Sequence, residues 1–342
     1  MVSRHQGPTS VATAHHSRAI LATAMFGAFV VGSLTVVQSR INGELGKVLD
    51  DGIYAAWLSF GVGLIVVAAI ALLIPRQRAS LRRVGAAVRG HAGAKLRLPP
   101  WQLLGGLGGA TFVAAQGLTV QYLGVAVFTV AVVAAQNGNS LFVDRFGLGP
   151  AGIQRFTARR VIAALIATLG VAIAVSSQVS SGSLVVPALL LALFAGAVIA
   201  IQQAINGRVA VVAHSPWSAG FVNFVVGWLG LTVALLIGHL VRPHNWVSPP
   251  NPLQNPVLWL GGLIGVTFIV VAASVVRTLG VLLFALLSIA GQVTGALVLD
   301  IAFPEAGRPV SVTLVVGVLV TGGAVALAAV GRASGRGHNR GT

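Results

Sequence analysis

Ten stretches of about twenty residues hold no basic side chain and are apolar almost throughout, which limits the possible folds severely. They cover 20–38, 55–74, 103–120, 125–143, 161–177, 184–201, 218–237, 257–276, 281–299 and 312–330. A hydrocarbon layer about 30 Å thick is crossed by about 20 helical residues rising about 1.5 Å each, so every run has the length of one transmembrane helix. The runs are continuous rather than alternating, which disfavours a β-barrel, and irregular backbone in lipid would leave peptide groups without partners. Charge usage agrees. Only 8% of the 342 residues are charged, against about 25% in soluble domains. The expected class is an all-α integral membrane protein whose main partner is the lipid bilayer. The first run follows Arg4 and Arg18, yet it is too long for a cleaved signal core and has a counterpart in mid-chain. The absence of cysteine excludes disulfides, thiolate metal sites and cysteine nucleophiles.

The counterpart belongs to an internal repeat. Gln38-Ser39-Arg40-Ile41-Asn42-Gly43 returns as Gln202-Gln203-Ala204-Ile205-Asn206-Gly207, and at the same offset of 164 Phe60 and Gly63 return as Phe224 and Gly227. A second block follows at an offset of 156. Gly105-Gly106-Leu107, Gly109, Thr111-Phe112, Leu123-Gly124-Val125, Phe128, Gln136 and Asp144 match Gly261-Gly262-Leu263, Gly265, Thr267-Phe268, Leu279-Gly280-Val281, Phe284, Gln292 and Asp300. The chain therefore reads as two five-helix repeats, 20–179 and 184–331, between cytoplasmic tails 1–19 and 332–342.

An odd number of spans per repeat makes the two copies enter the membrane from opposite sides. Basic residues agree, because with the N-terminus inside, the tails and even-numbered loops hold 18 of the 22, seven of them between 76 and 97. The other loops keep Arg40, Lys47, Arg242 and Arg308. This bias places both termini in the cytoplasm and gives the repeats inverted topology. The net charge of +16 is thus an orientation signal and not a sign of nucleic-acid binding.

Inverted repeats are typical of secondary transporters. The string from Gly105-Gly106-Leu107-Gly108-Gly109 through Leu123-Gly124, Phe128, Gln136 and Leu141-Phe142-Val143-Asp144, with Phe60-Gly61-Val62-Gly63, resembles the YdcZ-type family of the drug/metabolite transporter superfamily. Both halves carry the resemblance. It implies a fused two-copy form of a single five-helix unit, a ten-helix bundle in the bacterial inner membrane and a central cavity between the halves.

A polar side chain inside a span needs a partner or water. Gln38 with Asn42, and Gln202 with Asn206, are four apart and share a helix face at the end of a span. Gln136, Ser140 and Asp144 form a stripe that Gln292 and Asp300 repeat. These stripes are the expected cavity wall. Gln136 and Gln292 are central substrate-binding candidates. Asn137 and Asn139 join them because the second copy has Val293 and Gly295 there, and Gln116 and Asn223 are further candidates. Asp144 and Asp300, at opposite mouths, are candidates for proton exchange, although a carboxylate at a helix end also serves as a salt-bridged terminal residue. The amide pairs read equally as helix–helix glue.

An enzyme is disfavoured. The histidines lie in tails, loops or span ends without metal-ligand spacing, and no cofactor or metal motif is present. The glycines at 105–109 lack the lysine and preceding strand of a phosphate loop and read as close-packing positions. The expected function is alternating-access transport, in the outward direction, of a small polar or amphipathic organic metabolite or drug, with proton coupling as an option. A lipid or lipid-linked sugar flippase and a non-transporting membrane scaffold stay open as alternatives. So does a homodimer.

Overall fold

The computed structural model describes residues 9–90, 97–150, 152–153, 157–176, 184–241, 246–303 and 310–334, and every regular element among them is helical. Residues 1–8 and 335–342 of the tails, and the loop positions Lys95, Glu305 and Arg308, lie outside the described residues. α1 (Thr9–Leu49) begins within the N-terminal tail and continues past the end of the first apolar run. It can do so because Arg40 finds partners. Its Nη1 donates to the Phe303 carbonyl at 3.0 Å, and its Cζ lies 5.5 Å from the Phe303 ring centroid. α6 (Val185–Ala213) likewise runs on past 201. The Gln/Asn pairs of both helices therefore stand inside helices, not at their ends as the apolar runs suggest.

α2 (Gly52–Leu73) starts at Asp51, whose Oδ1 accepts from the N–H groups of Ile53 at 2.8 Å and Tyr54 at 3.0 Å. It stops at Ile74, the residue before Pro75. That proline opens α3 (Pro75–Arg89), in a segment that the hydropathy pattern treats as a basic loop. Ser80, Val84 and Ala87 recur at helical spacing and give it one buried face.

α4 (Gly105–Arg145) contains a reversal. Gly124 has φ 74° and ψ 165°, a conformation that L side chains rarely adopt. Phe112 and Phe128 would be about 24 Å apart along a straight helix, but their ring centroids are 5.9 Å apart. The chain turns back into two arms, 105–123 and 125–145. α8 (Leu260–Ala302) does the same, since the repeat-equivalent rings of Phe268 and Phe284 lie 6.1 Å apart. α5 (Ala158–Val175), α7 (Pro216–Val241) and α9 (Val312–Ser334) complete the bundle, with short 3-10 turns at Pro100–Leu104 and Pro256–Trp259 leading into α4 and α8.

The halves interlace. α1 packs along α8 and its equivalent α6 along α4, while α2 meets its equivalent α7 and α5 meets α9. The close approaches are reciprocal and fall on glycine. Gly32 lies against the Ser288 backbone and Gly196 against the Val132 backbone. Gly63 lies under Phe224 and Gly227 under Phe60, with the two rings 5.1 Å apart. The second arm of α4 sits at the centre, its Val125–Ala131 stretch packed on Ala188, Ala192 and Ala195 of α6. Large apolar side chains on the outer helices, among them Ile65, Leu73, Leu165, Leu190, Val233 and Leu319, are exposed as lipid contact requires.

A Cβ at position 196 would overlap the Val132 carbonyl. Gly196→Val is expected to destabilise the bundle by about 1–3 kcal/mol, read as a lower unfolding midpoint in detergent. Gly238→Ala, at a helical position with nothing within 4 Å, is expected to leave the midpoint unchanged or raise it.

Candidate functional site

Two repeat-related clusters of amides occupy the interior. In the first, Asn42 Nδ2 donates to Gln116 Oε1 at 2.7 Å, and Gln116 Nε2 donates to Ser39 Oγ at 2.8 Å. Gln38 Nε2 donates to the Gly261 carbonyl at 2.9 Å and so joins α1 to the other half. The cluster is buried: Asn42 and Gln116 are 0% exposed and Gln38 is 7% exposed. The glycines seal it. Gly46 and Gly52 meet the backbone around Gly117, and Gly43 meets Val120, so the end of α1 lies directly on the first arm of α4. Asn42 Oδ1 has no hydrogen-bond partner and is pressed against Gly261.

The second cluster has the same skeleton with different closure. Asn223 Oδ1 accepts from Gln202 Nε2 at 2.6 Å and from Asn206 Nδ2 at 2.9 Å. Asn223 is the repeat-equivalent of Ser59, while the equivalent of Gln116 is Ala272, so a Gln116-like lock has no residue to make it. Gln136 Nε2, on the second arm of α4, donates to Gln203 Oε1 at 3.0 Å. Gln202, Asn206 and Gln136 are half-buried and Gln203 is exposed, where the equivalent Ser39 is buried. Asn206 Oδ1 faces Gly105 as Asn42 Oδ1 faces Gly261, so the two clusters share one framework.

The other candidates separate. Asn139 Nδ2 donates to the Ala197 carbonyl at 2.7 Å and joins the α4–α6 crossing, where the second half has Gly295 close to Ser33. Asn137 is half-buried with its Nδ2 unpartnered, beside Gly138, which faces open space. Gln292 is half-buried and makes no side-chain hydrogen bond among the described residues. Gln203 is a contact that motif reading did not single out, although its place beside Gln202 was visible. Among the described residues no three His, Asp or Glu side chains converge as metal ligands would.

Asp300 has a defined partner. Its Oδ2 accepts from the Ala126 N–H at 2.9 Å, the second residue after the Gly124 reversal. The second arm of α4 begins there with unpaired N–H groups and the positive end of its dipole, and a carboxylate satisfies both. A residue of one half thus caps a helix of the other. Asp144 is half-buried at the end of the same arm.

Membrane-length apolar helices around an amide-rich interior define an integral membrane protein. The chain belongs to the YdcZ family of the drug/metabolite transporter type, described as "Putative inner membrane exporter, YdcZ", whose model matches twice, over 23–173 and 187–327. Among curated proteins none matches the chain. A crystal structure described only as that of a protein superposes with a TM-score of 0.53 at 19% identity, covering 91% of this chain and 97% of that one, and shows a shared fold.

Loss of the Asp300 cap is expected to cost about 0.5–2 kcal/mol in Asp300→Ala and less in Asp300→Asn, which keeps an acceptor oxygen. Thermal unfolding of the purified variants in detergent reads both.

Proposed function

We propose that this inner-membrane protein is a secondary transporter that exports a small polar or amphipathic organic solute by alternating access. Its two repeats, 20–179 and 184–331, are inverted five-span units with both termini cytoplasmic. One observation carries the reading: two repeat-equivalent amide clusters exist in unequal states. Gln38, Ser39 and Asn42 are buried, whereas Gln202 and Asn206 are half-buried and Gln203 is exposed. Inverted repeats alternate access when one half adopts the packing of the other, and this chain holds one copy of each state. With the N-terminus inside, the open cluster faces the cytoplasm, the side on which an exporter loads.

The binding groups are Gln136, Gln202, Gln203 and Asn206, with Asn137, Asn223 and Gln292 around them. All are neutral amides that donate and accept. A bare ion in such a wall would lack a counter-charge, so a neutral or internally compensated solute with several hydrogen-bonding groups fits best. Asn139 serves helix packing. Gln38, Asn42 and Gln116 serve as the closed lock on the far side. Asp300 serves first as a cap. A proton role for Asp144 and Asp300 is a separate property, tested by a pH-gradient assay of each Asp→Asn variant in proteoliposomes.

A ligand found by thermal-shift screening of a metabolite and antibiotic panel supplies the transport assay. The double variant Gln136→Leu/Gln292→Leu is expected to fold, with efflux falling to the rate of protein-free liposomes. Unchanged kinetics would remove both residues from the site.

A further inference from the structure

α3 has no use in the transport scheme above, and its two faces differ sharply. Ser80, Val84 and Ala87 pack on Val209, Ala213 and Ala219 at the turn between α6 and α7. The attachment is also polar. Ser80 Oγ donates to the Ala213 carbonyl at 2.7 Å, and Arg83 reaches the same oxygen through Nε at 3.0 Å and Nη2 at 2.8 Å. Arg83 is thereby spent on closing the C-terminus of α6.

Among the described residues Arg78, Arg82 and Arg89 make no hydrogen bond or ion pair, and the Arg89 guanidinium lies along its own helix beside Gly85. At about 100° per residue they fall within about 40° of one another, on the side of α3 opposite the buried face. All three are exposed. Their own stretch of chain supplies no carboxylate, since the sequence holds no Asp or Glu between Asp51 and Asp144. Their height is fixed by what precedes them. Leu72 and Leu73 at the end of α2 are 68% and 79% exposed, which in a membrane protein is contact with acyl chains. One residue, Ile74, separates that lipid-facing end from Pro75. The stripe therefore starts within about two turns of the hydrocarbon edge, at the depth of lipid phosphates.

We propose that α3 is a docking helix for anionic phospholipid headgroups, bound through Arg78, Arg82 and Arg89, and that it ties the α6–α7 turn to the membrane surface. Planar guanidinium groups pair with phosphate oxygens two bonds at a time, so phosphate-bearing headgroups with net negative charge are the complementary surface. The second repeat has no equivalent stripe, since its matching loop carries only Arg242. The anchor is one-sided. It holds the end of α6 that carries the open amide cluster.

The inference rests on the membrane orientation proposed above, and the experiment separates the two. Full-length protein in detergent is unfolded thermally with added phosphatidylglycerol, phosphatidylcholine or inorganic phosphate. Phosphatidylglycerol is expected to raise the midpoint beyond phosphatidylcholine, and the triple variant Arg78→Gln/Arg82→Gln/Arg89→Gln is expected to lose that increment. A charge-matched variant, Arg332→Gln/Arg336→Gln/Arg340→Gln, is expected to keep it. Equal increments in both variants, no increment in the wild type, or an equal increment from inorganic phosphate would overturn the proposal. Orientation is read independently from Ala79→Cys in this cysteine-free chain. Labelling of intact cells by an impermeant reagent would sink the orientation, whatever the lipid result.

Discussion

Helices surrounded by lipid gain little from burying apolar side chains against one another, because acyl chains are as apolar as leucine. What holds this bundle is close backbone approach and a small set of hydrogen bonds. Close approaches recur on glycines at repeat-equivalent positions: Gly32 and Gly196, Gly63 and Gly227, Gly106 and Gly262. Each contact joins one half to the other. The halves are therefore not modules that could drift apart but a single interlocked packing, with the Phe60 and Phe224 rings at its pseudo-symmetric centre.

That packing makes the amides informative. The first cluster is bonded through Gln116 and packed beneath Gly43, Gly46 and Gly52, whereas the second ends at the exposed Gln203. The asymmetry is built into the sequence, where Ser39, Ser59 and Gln116 are answered by Gln203, Asn223 and Ala272. In the second half Asn223 accepts from both Gln202 and Asn206. On the transport reading proposed above, bound solute would supply the further hydrogen bonds that close this half.

Much of the architecture is legible in the sequence because hydropathy reports helix length and glycine reports crossing points. The turn at Gly124 is visible as a break between runs. Helix ends were not, since Arg40 and Gln202 look like stops until their partners are known, and those partners come from elsewhere in the chain. The cap made by Asp300 was illegible for the same reason: its acceptor role is set by Ala126, 174 residues earlier. Asn139 looked substrate-specific because its repeat mate is Gly295, but that same difference is what a helix crossing needs when one side supplies a hydrogen bond and the other supplies space. α3 escaped because its buried face is only Ser80, Val84 and Ala87, too short for a hydropathy run.

The unequal state of the two clusters is the claim on which the functional reading stands, and side-chain accessibility measures it directly. With no native cysteine in the chain, Gln203→Cys and Ser39→Cys can be compared at repeat-equivalent positions with a small hydrophilic thiol reagent. Rapid modification at 203 with protection at 39 is the result expected of a transporter open on one side. Equal reactivity at the two positions would contradict it.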